Sequence, residues 1–187
     1  MTSEIRFESP WFGEFFKVYD GHVMIGEVPF SPPGKGHALP DTWLEMFPVG
    51  ETAQERVIHS DQSFDFHYNW RVEGLLNGLD LSIGGTFPGL VDPACWEIRT
   101  MVEGMGTGIE AVVNTIYEPF VKGTLAPKFP HWYVKTLNFA PPGGTWPAGV
   151  YDIVTTVQLV GYDGTNVTQR LPVAGFAEMG KVQIYHA

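Results

Sequence analysis

The sequence predicts an all-β protein, an antiparallel two-sheet sandwich, and three observations carry that prediction. From Phe64 onward, Phe64, Phe66, Tyr68, Trp70 and Val72 alternate strictly with Asp65, His67, Asn69 and Arg71. Period two is the signature of a half-buried strand, aromatic face inward. The 22 glycines and 15 prolines separate apolar segments and form no tract of their own, as many short strands joined by turns require. Finally, 44% hydrophobic and 14% aromatic residues in a chain of 187 supply a sizeable core. A sandwich reaches that length without dividing, and neither a fixed-period repeat nor a linker breaks the chain. Residues 1–187 are therefore read as a single domain.

In chain order, Ile5 to Phe16 reads as extended and aromatic-rich, turning a corner at Gly13. Lys17 to Tyr19 and His22 to Val28 read as a hairpin around Asp20-Gly21, a dipeptide suited to a tight turn. Pro29 to Pro40 holds four prolines and two glycines in twelve residues and is a long surface loop. Asp41 to Pro48 fits a short strand or one helical turn equally well. Val57 to His59 leads into the alternating strand at Phe64. Gly74 to Gly89 is read as a short leucine-rich strand with a loop on each side. Trp96, Ile98, Thr100 and Val102 form the inner face of another strand, with Glu97, Arg99, Met101 and Glu103 outside, ended by the glycines from Gly104 to Gly108. Ile109 to Tyr117 fits a helical stripe, but its β-branched content and its place between strands favour an extended segment. Trp132 to Phe139 is a strand. Val150 to Val160 follows, with Tyr151, Ile153, Thr155, Val157 and Leu159 on one face. Asp163-Gly164 turns the chain, Thr165 to Val173 returns it with a break at Pro172, and Lys181 to Tyr185 closes it. The total is nine or ten strands with little helix.

The run from Asp65 through Trp70 to Gly74, with the strand from Gly149 to Val154, resembles immunoglobulin-type or fibronectin-type sandwiches. An immunoglobulin-like arrangement is what that resemblance implies, and a jelly-roll-like one stays open beside it. It implies nothing about function, because this architecture serves many.

Charge narrows the partners. Eleven basic against 21 acidic residues give a formal charge of −10, and the Lys and Arg residues occur singly. Such a surface repels phosphate backbones and anionic membranes, so neither nucleic acid nor a membrane is an expected partner. The first ten residues lack a basic segment and an apolar run, and no stretch is long enough to span a bilayer. Cys95 is the single cysteine. With no internal disulfide available, a cytoplasmic location is the expectation.

Candidate chemistry is sparse. His59, Ser60, Asp61, Asp65 and His67 bring imidazole and carboxylate together, and Asp65 and His67 share a strand face that could hold a metal. That face lies opposite the aromatic one, so the two side chains are expected to meet solvent, and no metal is assigned. The glycines from Gly104 to Gly108 lack the lysine of a phosphate loop and the βαβ setting of a dinucleotide site, and read as a tight turn. Cys95 beside Trp96 reads as a buried, inert thiol. Asp61, Asp80, Asp92, Asp152 and Asp163 could offer oxygen ligands to calcium but lack the spacing of a calcium loop. No motif fixes a nucleophile, a general base or a cofactor, so no catalytic residue or cofactor is assigned and catalysis is the less favoured reading.

Loop aromatics are the stronger hint. Trp43, Trp132 and Trp146 lie in or beside Pro/Gly-rich stretches, where an indole can stack on a sugar ring or a partner's apolar surface. The leading expectation is a non-catalytic binding or assembly module, working through surface aromatics and sheet edges and partnered by its own copies or another protein. A carbohydrate-binding module using these tryptophans is the first alternative. A small metal-dependent enzyme centred on Asp65 and His67 is the second.

Overall fold

The computed structural model describes residues 2–8, 15–27, 57–60, 64–86, 89–105, 110–139 and 147–185. Nine strands lie within them: β1 Thr2–Glu8, β2 Lys17–Glu27, β3 Val57–His59, β4 Phe64–Glu73, β5 Ala94–Met105, β6 Glu110–Pro119, β7 His131–Phe139, β8 Gly149–Tyr162 and β9 Val167–Tyr185. The first sheet runs β1-β2-β4-β7 and the second β6-β5-β8-β9, joined through β1. Residues Thr2 to Ile5 pair with β2, whereas Arg6 to Glu8 pair with β9, so one strand serves both layers. Every pairing is antiparallel except that of β3 along the end of β9. The sandwich expected from the alternation is what the chain forms.

The inner faces are those that period two assigns. Phe66, Tyr68, Trp70 and Val72 on β4 are buried, as are Trp96, Ile98, Thr100 and Val102 on β5 and Tyr151, Ile153, Thr155, Val157 and Leu159 on β8. Trp70 stacks on Tyr133 of β7 at 4.9 Å and meets Trp96 of the opposite sheet edge-on at 5.5 Å. Phe7 completes the cluster, edge-on to Trp96 at 6.1 Å. Such pairs contribute about 0.5–1.5 kcal/mol beyond the area they bury. A polar link crosses the same core: Tyr68 Oη and Thr100 Oγ1 are 2.6 Å apart, and Thr100 and Thr155 hydroxyls 3.3 Å. Each buried hydroxyl is thereby matched, as an apolar interior demands.

Four expectations need correction. Asp20-Gly21 is not a hairpin turn, because β2 runs through it as one strand with a bulge between Tyr19 and His22. A Cβ at Gly21 would strike the Asn69 carbonyl and Trp70 Cβ, so the glycine permits close approach of β4. Gly74 to Gly89 contains no strand within its described residues but a single 3₁₀ turn, Leu75–Gly78, followed by loop. The buried Asn77 side chain holds this loop by donating to the carbonyls of Phe129 and Val72. Pro172 does not break the return strand. It lies inside β9, where the register with β8 shifts between Gln158 and Val160 and the missing N–H interrupts no regular ladder. Gly104 and Met105 continue β5 and do not end it. Of the segment Ile109 to Tyr117, the described residues from Glu110 onward are extended, with β6 spanning Glu110–Pro119. The corner at Gly13, the loop from Pro29 to Pro40 and the segment Asp41 to Pro48 lie outside the described residues.

Candidate functional site

The outer face of the first sheet carries a connected set of half-buried aromatic and charged groups. Register places Tyr19 of β2 opposite Arg71 of β4, and Arg71 opposite Trp132 of β7. Alternation turns all three side chains away from the core, because their neighbours Val18, Trp70, Val72 and Tyr133 point inward. The Arg71 guanidinium lies over both rings, 4.9 Å from the centroid of Tyr19 and 5.2 Å from that of Trp132. Lys17 Nζ sits over Tyr19 at 4.4 Å. A cation over an aromatic face at these distances is attracted by the ring quadrupole.

Glu73 locks the row. Its Oε2 accepts from Arg71 Nη2 at 2.6 Å, and its Oε1 accepts from the Tyr19 hydroxyl. Burial by itself would raise the Glu73 pKa, but the Tyr19 hydroxyl and the charges of Arg71 and Lys128 outweigh it and hold it below its ordinary value. The hydrogen bond to Glu73, with burial, pushes the Tyr19 hydroxyl up. The set thus holds an ionised carboxylate, a neutral phenol and a guanidinium between two rings.

The other strand positions on this face are plainer. Val134 of β7 is 52% exposed. His67 faces outward as alternation requires, but the expectation that it meets solvent is corrected: it is 3% exposed, with Nδ1 2.8 Å from Thr136 Oγ1. The reason is position: β4 is an interior strand, flanked by β2 and β7. The side chains of His59, Asp61 and Asp65 lie outside the description, while Ser60 is buried. Among the described residues no three His, Cys, Asp or Glu side chains come together around a common point. Asp163 is occupied locally, accepting from the backbone N–H of Thr165 at 2.7 Å and Asn166 at 2.6 Å. Cys95 is buried, and burial pushes its thiol up, away from the reactive thiolate.

Of the three tryptophans singled out, Trp132 lies at the start of an edge strand and is half-buried. Trp43 and Trp146 lie outside the described residues. Tyr19, Arg71 and Glu73 are not among the candidate site residues that the sequence points to. Arg71 and Glu73 were readable as outward positions of β4, but their partner Tyr19 lies 54 residues from Glu73 and nothing local signals the pairing.

The outer face of the second sheet holds a separate polar network. Glu97 is 4% exposed, and Arg170 embraces it with Nη1 at 2.6 Å from Oε2 and Nη2 at 3.4 Å from Oε1. Tyr117 donates to Glu97 at 3.4 Å and stacks on Tyr162 at 4.0 Å, while Arg170 also donates to Gln158 at 2.5 Å.

Among the described residues, no helix is long and apolar enough to cross a membrane. No family model matches the chain, and no curated protein matches it. Among solved structures it is similar to the CARDB domain of a Pyrococcus furiosus protein, solved in complex with di-metal ions. That likeness covers 95% of both chains at 14% identity and a TM-score of 0.35. A score so low assigns no function, and the β-sandwich stands on the strands and their pairing.

Proposed function

We propose that this chain is a non-catalytic binding and assembly module whose contact surface is the outer face of the first sheet and its β7 edge. The observation that supports it is the row of Tyr19, Arg71 and Trp132, already ordered by Glu73, with Val134 exposed beside it. Side chains that are fixed before contact lose little entropy on binding. Aromatic and arginine side chains are also the types that dominate protein contacts. Among the described strands β7 pairs with β4 alone, and an edge unpaired within them is the kind of surface that takes up another strand. A second copy could pair there about a two-fold axis and cover Trp132 and Val134 together.

Light scattering behind size exclusion, over a range of concentrations, tests this reading. The expected result is a mass that is a stable multiple of 20.8 kDa. Val134→Lys, which puts a charge on the edge, and Trp132→Ala should each shift that mass toward the monomer. A monomer at every concentration would remove the self-assembly reading. An oligomer indifferent to both substitutions would place its interface elsewhere.

A further inference from the structure

A shallow depression of about 300 Å³ lies on the outer face of the second sheet, lined among others by Glu8, Arg99, Thr156, Gln158, Ala174 and Phe176. It arises from the order of side chains across the strands. Arg99 of β5 stands opposite Thr156 of β8, which stands opposite Phe176 of β9. In the next row Gln158 faces Ala174, whose methyl group leaves the floor low between taller neighbours. Phe176 is 49% exposed, an apolar wall open to solvent.

The two guanidinium groups of this depression differ. Arg170 is engaged by Glu97 and Gln158. Arg99 forms no ion pair with any described residue, and its Nε is shielded from solvent with no acceptor. A shielded, charged donor without an acceptor costs free energy, and Arg99, unlike Arg71 whose Nε is shielded in the same way, has no carboxylate on its other nitrogens among the described residues. An acceptor brought by a ligand would remove that cost.

We infer that this depression binds a small ligand carrying a carboxylate and, a short span away, an aromatic or apolar group. The carboxylate pairs with Arg99 and the apolar group lies against Phe176. Two strand spacings, about 10 Å, separate the two residues across the sheet, which sets the length of the ligand. A carboxylate fits a guanidinium in a planar, two-point contact. A doubly charged phosphate is disfavoured, because Glu8 and Glu97 line the same depression. The site shares no residue with the Tyr19, Arg71 and Trp132 row, so it stands or falls independently of the assembly reading.

N-benzoylglycine is the probe, with its neutral amide and phenyl phosphate beside it, titrated by calorimetry and by chemical-shift mapping on the full chain. The acid should bind saturably, shifting resonances of Arg99, Thr156 and Phe176. The amide should bind roughly tenfold to a hundredfold more weakly, the usual loss with a charged hydrogen bond. Arg99→Gln should reduce the acid to the level of the amide, and Phe176→Ala, at an exposed site, should weaken acid and amide alike. Lys122→Gln, a surface cation elsewhere, should bind as the parent does. The inference is overturned by an acid that does not saturate, by acid and amide binding equally, or by unchanged affinity in Arg99→Gln with retained circular dichroism. Tighter binding of phenyl phosphate would equally overturn the choice of a carboxylate.

Discussion

Arg71 shows how one side chain can organise a surface. Its charge is shared among two ring faces and one carboxylate, and the Glu73 side chain it pairs with is only 8% exposed. Replacing Arg71 by Leu leaves that carboxylate short of its main cation, so a loss of about 1–3 kcal/mol is expected. Adding Glu73→Gln to that variant should recover part of the loss, since a neutral amide does not need the guanidinium. Urea unfolding of the two variants measures both steps. The pH dependence follows from the directions of the shifts. Glu73 titrates below its ordinary value of 4.5, so its contribution is complete above that pH and is lost as pH falls through the lower folded value. Tyr19 titrates above 10.0, so its contribution is complete below that pH and is lost as pH rises through the folded value. The stability difference between parent and Glu73→Gln should be flat near neutrality and shrink in acid. A difference that grew in acid would contradict the assignment.

In strands β2 and β9 the same local residues serve a different structure from the one they usually mark. A dipeptide of Asp and Gly between apolar runs is the ordinary sign of a hairpin, yet β2 uses Gly21 for a bulge against β4. The local chemistry is the same in both cases, a residue tolerant of an unusual backbone or a close approach, and only the partner strand distinguishes them. Gly21→Val should therefore be severe, about 3 kcal/mol or more, because the new side chain meets the Asn69 carbonyl and Trp70 Cβ, backbone and core alike. Thermal unfolding of the variant reads this directly. In β9, Pro172 reads as a break by itself but coincides with a register shift against β8, where a proline is tolerated. The alternating strands carried no such ambiguity. Faces of β4, β5 and β8 were legible residue by residue because burial on one side of a strand imposes period two whatever its neighbours are.

For the molecule as a whole, the aromatic cluster between the sheets ties one layer to the other. Trp70, Trp96, Tyr133 and Phe7 come from β4, β5, β7 and β1, so truncating one ring loosens contacts in both sheets. Trp70→Ala should cost about 3–5 kcal/mol, a large share of the roughly 5–15 kcal/mol that holds a typical domain. A fall in melting temperature of about 6–20 °C is expected for a chain of this size, with loss of much of the near-ultraviolet tryptophan signal. A small shift would mean that the two sheets are held mainly elsewhere.

The candidate sites divide along the same lines. Trp132 was legible as an aromatic worth attention, and Arg99 as an outward position of its strand, because residue type and alternation are local properties. That Arg71 would lie between Tyr19 and Trp132, or that Arg170 would satisfy Glu97 and leave Arg99 without an ion pair among the described residues, was not legible. Those pairings join residues far apart in the chain, 73 positions in the case of Arg170 and Glu97. By itself the sequence determined the fold class, the inward faces of the main strands, and a formal charge of −10 with a single cysteine. Each follows from composition or from contacts between residues i and i+2. Only the tertiary structure decided the strand order, the passage of β1 between sheets, and which outward side chains meet. Those depend on which strands become neighbours, and that is set by the global packing of apolar faces rather than by any local run of residues.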